Sequence, residues 1–319
     1  MRNMSNYHDN TGRIDILSGG VKMIPIITPI GDFKVWTKRV GNNPRIKVLL
    51  LHGGPGGTHE QFASCDSYFP GAEIEYYYYD QLGSHYSDQP TDESLWVTER
   101  FVEEVEQVRI ALGLDNTNFY LLGQSWGGIL AAEYALKYQK NLKGLIISNM
   151  MMSAPEYEKY AKEVLGPQMK PEVLAEVFEL EAKEDFENPR YEELLMTNYY
   201  VEHVLRIPLE DWPEPILRTF NHLNHSVYTI MQGPSEFGIR GLLATWDRTA
   251  DIHKIKVPTL VIGATYDSMD PKHMEWVASQ LEKGEFLLCP NGSHLCNYDD
   301  HEAYFEGVIK FIKNVDMNS

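Results

Sequence analysis

The run Asn118-Phe-Tyr-Leu-Leu-Gly-Gln-Ser-Trp-Gly-Gly128 constrains this chain more than any other stretch. An apolar, strand-like segment stops abruptly at Gly123-Gln124-Ser125-Trp126-Gly127, a G-x-S-x-G pattern, and a helical stretch from Ile129 to Gln139 follows at once. Strand, tight turn and helix in that order are the setting in which the pattern means a nucleophile elbow rather than a chance match. The flanking glycines let strand and helix pack closely. The serine takes a strained backbone conformation that projects its hydroxyl into a site. A serine hydrolase is the expectation.

A serine hydroxyl is a poor nucleophile until a base takes its proton, and that base needs a third group to orient it. In the fold that carries this elbow, the chain order is serine, acid, histidine. Downstream, Pro258–Ala264 reads as a buried strand with Asp267 just past its end, and Glu285–Cys289 reads as a strand followed by Pro290-Asn-Gly-Ser-His294. Asp267 and His294 thus sit on loops after strand C-termini, where open α/β sheets build their sites. Asp270 is a rival acid, but Asp270-Pro271 reads as the start of the next helix, and Asp267 lies nearer the strand end.

Upstream, Ile46–Leu51 feeds His52-Gly-Gly-Pro-Gly-Gly57. A glycine-rich turn after a strand can present backbone N–H groups to a developing oxyanion. The donors expected here are the N–H groups of Gly54 and of Trp126, the residue after the nucleophile. A phosphate cradle is the competing reading. It is disfavoured because neither a P-loop nor a strand-linked G-x-G-x-x-G is present.

His52-Gly-Gly-Pro-Gly56, Asp80-Gln-Leu-Gly83, Gly123-Gln-Ser-Trp-Gly-Gly128 and Gly233-Pro-Ser-Glu-Phe237 together resemble the proline iminopeptidases of the α/β-hydrolase superfamily. The resemblance runs from about Ile24 to Ile312. It implies an α/β-hydrolase fold, a mostly parallel sheet flanked by helices, and cofactor-free removal of an N-terminal residue, preferably proline, from peptides. It also implies that Ser125 is the nucleophile, Asp267 the orienting acid and His294 the base. Gly54 and Trp126 would line the oxyanion hole. An exopeptidase must hold a protonated amine beside the scissile carbonyl, which calls for carboxylates. The family's acidic residue of the G-P-[SN]-E-[FY] segment matches Glu236, and a second carboxylate is expected from a cap helix. Glu202 is the candidate, with Glu193 nearly as good. An esterase, amidase or lactonase with the same triad is the competing enzyme, and a non-catalytic binding protein on this fold the competing class.

Between Val21 and Met150 the pattern is strand-rich: a hairpin of 21–28 and 33–40 comes first, then strands near 46–51, 74–79, 118–122 and 144–149. These alternate with helical stretches such as Val97–Leu112, which argues for a doubly covered parallel sheet. From Ser153 to about Glu236 the β-like runs vanish, and Glu156–Leu165, Pro171–Lys183 and Tyr191–Leu205 read as amphipathic helices punctuated by prolines. The expected organisation is a polar tail over residues 1–20, core over 21–152, an all-helical cap over 153–240 and core again over 241–319. A cap excludes water and shapes the pocket. Trp126, Tyr199, Tyr200, Phe220, Tyr228 and Phe237 are available as aromatic walls for a proline ring, with plain core packing as the alternative.

The 46 acidic and 28 basic side chains give a net charge of −18, which makes nucleic acid and anionic membranes poor partners and a cationic peptide amino terminus a good one. Three cysteines without a C-x-x-C pair, an N-terminus lacking a signal-like apolar run and the absence of any ~18-residue apolar stretch point to the cytoplasm. His222 and His225 have i, i+3 spacing, but with no third ligand identified the expectation is no metal. His52 is expected to brace its turn, and Asp80 and Gln81 to hold loops near the site. Oligomeric state is left open.

Overall fold

In a computed structural model, residues 5–319 are described. The first four residues of the expected polar tail lie outside them. Eight strands form one sheet: β1 (Val21–Thr28), β2 (Gly31–Val40), β3 (Lys47–Leu51), β4 (Glu75–Asp80), β5 (Phe119–Gln124), β6 (Gly144–Ser148), β7 (Thr259–Ala264) and β8 (Gly284–Cys289). Twelve α-helices accompany them among the described residues: α1 (Ser5–His8), α2 (Thr98–Leu112), α3 (Trp126–Tyr138), α4 (Ala154–Tyr160), α5 (Pro171–Ala182), α6 (Pro189–Leu195), α7 (Val201–His203), α8 (Glu214–Asn221), α9 (His225–Met231), α10 (Pro271–Gln280), α11 (Cys296–Asp299) and α12 (His301–Met317).

The strand order is β1-β2-β4-β3-β5-β6-β7-β8, with β2 antiparallel to both neighbours and every pair from β4 to β8 parallel. Strands covered on both faces need apolar residues at every position rather than alternate ones. β5, β6 and β7 meet that demand and are buried from end to end. Alternation persists as a choice of layer. Leu49, Leu51 and Leu121 pack with Phe101, Val105 and Val108 of α2 on one face, while Val48, Leu50 and Leu122 pack with Phe305, Val308 and Ile312 of α12 on the other. The strands begin and end within about two residues of the expected ones.

The helices α4 to α9 all fall between β6 and β7 and form the cap. The helix expected over Tyr191–Leu205 is instead α6 and α7, spanning 189–203, joined by a π-helical turn, Met196–Tyr200. A π turn adds a residue to the helical repeat. Tyr199 and Tyr200 are both buried there. The cap core, including Tyr157, Tyr199, Met231 and Phe237, is continuous with the α2/α3 layer of the sheet. Residues beyond the fourth are docked at the periphery: Tyr7 is buried, and Arg39 donates two hydrogen bonds of 3.1 Å to the Asp15 carboxylate. Among the described residues no helix is long and apolar enough to cross a membrane.

Phe305 is fully buried in the α12 layer, stacked on Tyr68 at 4.3 Å, on the sheet face opposite the cap. Phe305→Ala is expected to cost about 3–5 kcal/mol of unfolding free energy. Denaturant unfolding checks this, with little change in turnover by the fraction that stays folded.

Candidate active site

The site is built on the turn between β5 and α3. Ser125 has φ 57° and ψ −125°, a region that side chains rarely adopt. Its neighbours cannot carry a Cβ. At Gly123 one would stand 1.9 Å from the Gly127 carbonyl oxygen, and at Gly127 one would stand 2.0 Å from that of Leu51. The serine N–H is anchored to the Ser148 carbonyl at 3.0 Å.

The loops after β7 and β8 bring Asp267 and His294 together. His294 Nδ1 lies 2.8 Å from Asp267 Oδ1, and both residues are buried. Asp267 Oδ1 also accepts from the Met269 N–H at 3.0 Å, and its Oδ2 accepts from Asn149 Nδ2 at 2.7 Å. His294 Nε2 is buried without a hydrogen-bond partner, and His294 and Ser125 line one cavity. Burial by itself depresses the His294 pKa. The Asp267 charge and hydrogen bond, with Glu236 and Asp299 further off, outweigh burial, so the net shift is upward. Asp270 lies apart from this pair: its carboxylate caps α10 by accepting from the Lys272 N–H at 2.9 Å.

Gly53 and Gly54 line the cavity beside Ser125, after β3. A row of amide side chains braces this wall. The Gly53 N–H donates to Gln61 Oε1 at 2.8 Å, Gln61 Nε2 to Gln124 Oε1 at 2.7 Å, and Gln124 Nε2 to the His294 carbonyl at 2.9 Å. His52 fixes the turn as expected. The Gln81 N–H can only donate, so His52 Nε2 accepts it at 3.1 Å and Nδ1–H donates to the Gly53 carbonyl at 2.9 Å. Burial holds this imidazole neutral, with its pKa lowered to about 4. Asp80 ties its loops through the His59 N–H and ring, each at 2.8 Å.

The cap closes the cavity, whose volume is about 510 Å³. Glu236 lines it, accepting from the Tyr228 hydroxyl at 2.6 Å, while its own N–H donates to the Tyr200 hydroxyl at 2.9 Å. Burial and then the Glu236 charge push the Tyr228 and Tyr200 phenols well up, so both stay neutral, Tyr228 donating to the carboxylate and Tyr200 accepting from the backbone. The structure does not bring Glu202 to the site. Its side chain is 58% exposed and faces Arg206 at 3.7 Å, because the inward positions of that helix are taken by Tyr199, Tyr200 and His203. Glu193 also points out, paired with Arg190 at 3.1 Å. Glu192 and Glu187 line the cavity instead. Together with Glu236 they make three carboxylates, and among the described residues no Lys or Arg shares the lining.

Of the expected aromatics, Tyr200, Phe220 and Tyr228 line the cavity, whereas Tyr199 and Phe237 pack in the cap core. Trp126 packs edge-on against Phe101 at 5.3 Å, and its indole N–H donates to Gln81 at 2.8 Å, so its ring is no wall of the cavity. His225 faces the cavity while His222 turns to Glu60, which separates the two histidines. Asn149, Gln61 and Glu192 are the site residues that sequence reasoning missed. Gln124 lay in plain view within the elbow pattern.

The cap also reaches the acid and base loops directly. The carbonyl of His203 accepts from both the Ser268 N–H at 3.1 Å and the His294 N–H at 3.0 Å, and the Val204 carbonyl accepts from Leu295 at 2.8 Å.

Residues 47–307 match the α/β hydrolase fold family. The chain is 61% identical to the proline iminopeptidase of Flavobacterium johnsoniae over 92% of its own length and 98% of that protein. It is 61% identical to that of Elizabethkingia meningoseptica over 93% and 99%. The chain belongs to the proline iminopeptidase family of α/β hydrolases. The crystal structure of a family member from Mycobacterium smegmatis superposes with a TM-score of 0.82 at 26% identity, covering 93% of this chain and 99% of that one. Within this family fold, the environment of His294 has a measurable consequence. Its ring, followed by NMR, is expected to titrate above the ordinary imidazole value of about 6.5. Asp267→Asn is expected to lower it, since burial, the largest influence, is then opposed only by the charges of Glu236 and Asp299. A raised folded pKa also means that this pair stabilises the protein most at low pH, and that the contribution is lost as pH rises through the folded value.

Proposed function

We propose that this protein is a serine aminopeptidase that releases an N-terminal residue, preferably proline, from short peptides. The observation that carries the reading is the cavity wall: Glu236, Glu192 and Glu187 without a balancing Lys or Arg, on the cavity that ends at Ser125 and His294. A protonated amine is the complement of such a wall, and Glu236 is near enough for its charge to act on His294.

In this mechanism the peptide amine seats against Glu236 and Glu192, which places the first carbonyl carbon over Ser125. His294 Nε2 takes the serine proton as Oγ attacks, and Asp267 holds the imidazole by its Nδ1–H and favours the imidazolium. The N–H groups of Gly54 and Trp126 receive the oxyanion. His294 then protonates the departing amine. Water, activated by the same ring, releases the residue from the acyl-enzyme. No cofactor enters this scheme. The apolar slot for a pyrrolidine falls to Tyr200, Phe220 and Tyr228. Residues 153–240 act as the cap between core segments 21–152 and 241–319. A cytoplasmic setting belongs to the same reading, supported by three free, buried thiols.

The test compares proline β-naphthylamide, its N-acetylated form and p-nitrophenyl acetate. Wild type is expected to cleave only the free-amine substrate quickly. Ser125→Ala is expected to abolish turnover and labelling by a fluorophosphonate. Glu236→Gln and Glu192→Gln are each expected to lower kcat/KM for the free amine by about 10²-fold or more, as loss of a charge-assisted bond to a half-buried ammonium implies. Glu202→Gln should match wild type. Indifference to acetylation, or ester cleavage alone, would hand the protein to the esterase reading.

A further inference from the structure

On the far side of the cavity wall, three residues from three separate segments converge where the cap meets the core. Glu60 comes from the short helix after β3, His85 from the loop after β4, and His222 from the C-terminal end of α8. One ligand atom from each lies within 4.8 Å of the others. We propose that Glu60, His85 and His222 form a binding site for a divalent transition metal, with zinc the best match to two imidazoles and a carboxylate.

Four observations carry this inference. Glu60 is only 4% exposed, and its buried carboxylate, which accepts from the Thr58 hydroxyl at 3.0 Å, draws cationic partners such as Arg218. His222 Nδ1 already stands 2.7 Å from Glu60 Oε2. Among the described residues His85 Nε2 is buried and has no hydrogen-bond partner, which leaves that ring nitrogen without a role in the metal-free site. The two imidazoles lie stacked, with centroids 4.0 Å apart and planes 14° from parallel. Tetrahedral bonds of about 2.1 Å put ligand atoms roughly 3.4 Å apart, so closing the site takes about an ångström of movement and a turn of the half-exposed His222 ring.

The neighbouring charges are consistent with this occupant. Arg218 approaches Glu60 at 3.3 Å, but it is 44% exposed and has a second partner in Glu214 at 2.9 Å, to which it can withdraw. His59, whose ring lies 6.3 Å from that of His85, is committed to Asp80 and is not a fourth ligand. Water is the natural fourth. The site differs from the one that sequence spacing suggested, since His225 takes no part and its place is filled by residues of the core. A metal here staples the end of α8 to the core, beside the cavity-lining Thr219, Phe220 and Leu223.

Equilibrium dialysis and thermal unfolding in zinc chloride test the assignment. Wild type is expected to bind one zinc per chain, with Tm rising by about 5 °C at roughly a hundredfold excess over Kd. His222→Gln and His85→Gln should each abolish the binding and the shift while keeping zinc-free turnover and fluorophosphonate labelling, which establish that they fold. His222 is half-exposed, so its variant carries the test if His85→Gln fails to fold. A wild type that neither binds nor shifts, or a shift that survives in His222→Gln because zinc sits at His294 or the thiols, overturns the proposal.

Discussion

The backbone of Ser125 is held where it costs free energy to be, about 1–3 kcal/mol for a side chain at positive φ, and the surrounding structure is arranged to hold it there. β5 must end and α3 begin within a single residue, so Gly127 passes under the Leu51 carbonyl and Gly123 under that of Gly127 at separations that leave no room for a methyl group. These contacts bind three elements at once: β3, β5 and α3. The same crossing sets the Gly53-Gly54 turn beside the serine. Ser125 and the Gly53-Gly54 turn that faces it are therefore products of one packing event, and neither can move without the other.

A second constraint couples the cap to the chemistry. One carbonyl, that of His203, receives N–H groups from both the loop that carries Asp267 and the loop that carries His294. A cap attached only by apolar packing could slide or lift without disturbing Asp267 and His294. Here any displacement of 203–204 pulls on the backbone of both. Asp267 is held from the opposite side by Asn149, and the His294 loop by Gln124, so the Asp267–His294 pair sits in a frame of backbone and amide groups. Burial, the Asp267 partner and the further charges of Glu236 and Asp299 then decide the imidazole's pKa.

Much of this was legible in the sequence, and the reason differs by residue. The sheet strands were readable because doubly buried parallel strands are apolar throughout, and the elbow because its glycines are sterically compelled. Asp267 was separable from Asp270 because Asp-Pro is a helix start, and the structure has Asp270 capping α10. The second cap carboxylate was not legible. Choosing among Glu192, Glu193 and Glu202 needs the helical phase, and a π turn at 196–200 shifts that phase midway, which an unbroken 3.6-residue repeat does not foresee. Gln61 and Asn149 escaped because their partners, at 124 and 267, are remote in sequence and amides carry no signature of their own.

Net charge and cavity charge act at different ranges. The −18 of the whole chain attracts any cation, but at physiological salt its field decays over about 8 Å, so it cannot tell a peptide amino terminus from a lysine side chain. Glu236, half-buried on the cavity wall beside Tyr200 and Tyr228, acts at contact distance where screening is weaker than at the exposed Glu187 and Glu192. Glu236 does not stand alone there. The Tyr228 hydroxyl satisfies one of its oxygens, which keeps the carboxylate fixed and oriented before an amine arrives. An incoming ammonium therefore meets an anion whose desolvation and ordering have already been offset by folding. That is the condition under which a single charge pair can discriminate a free amine from its acylated form.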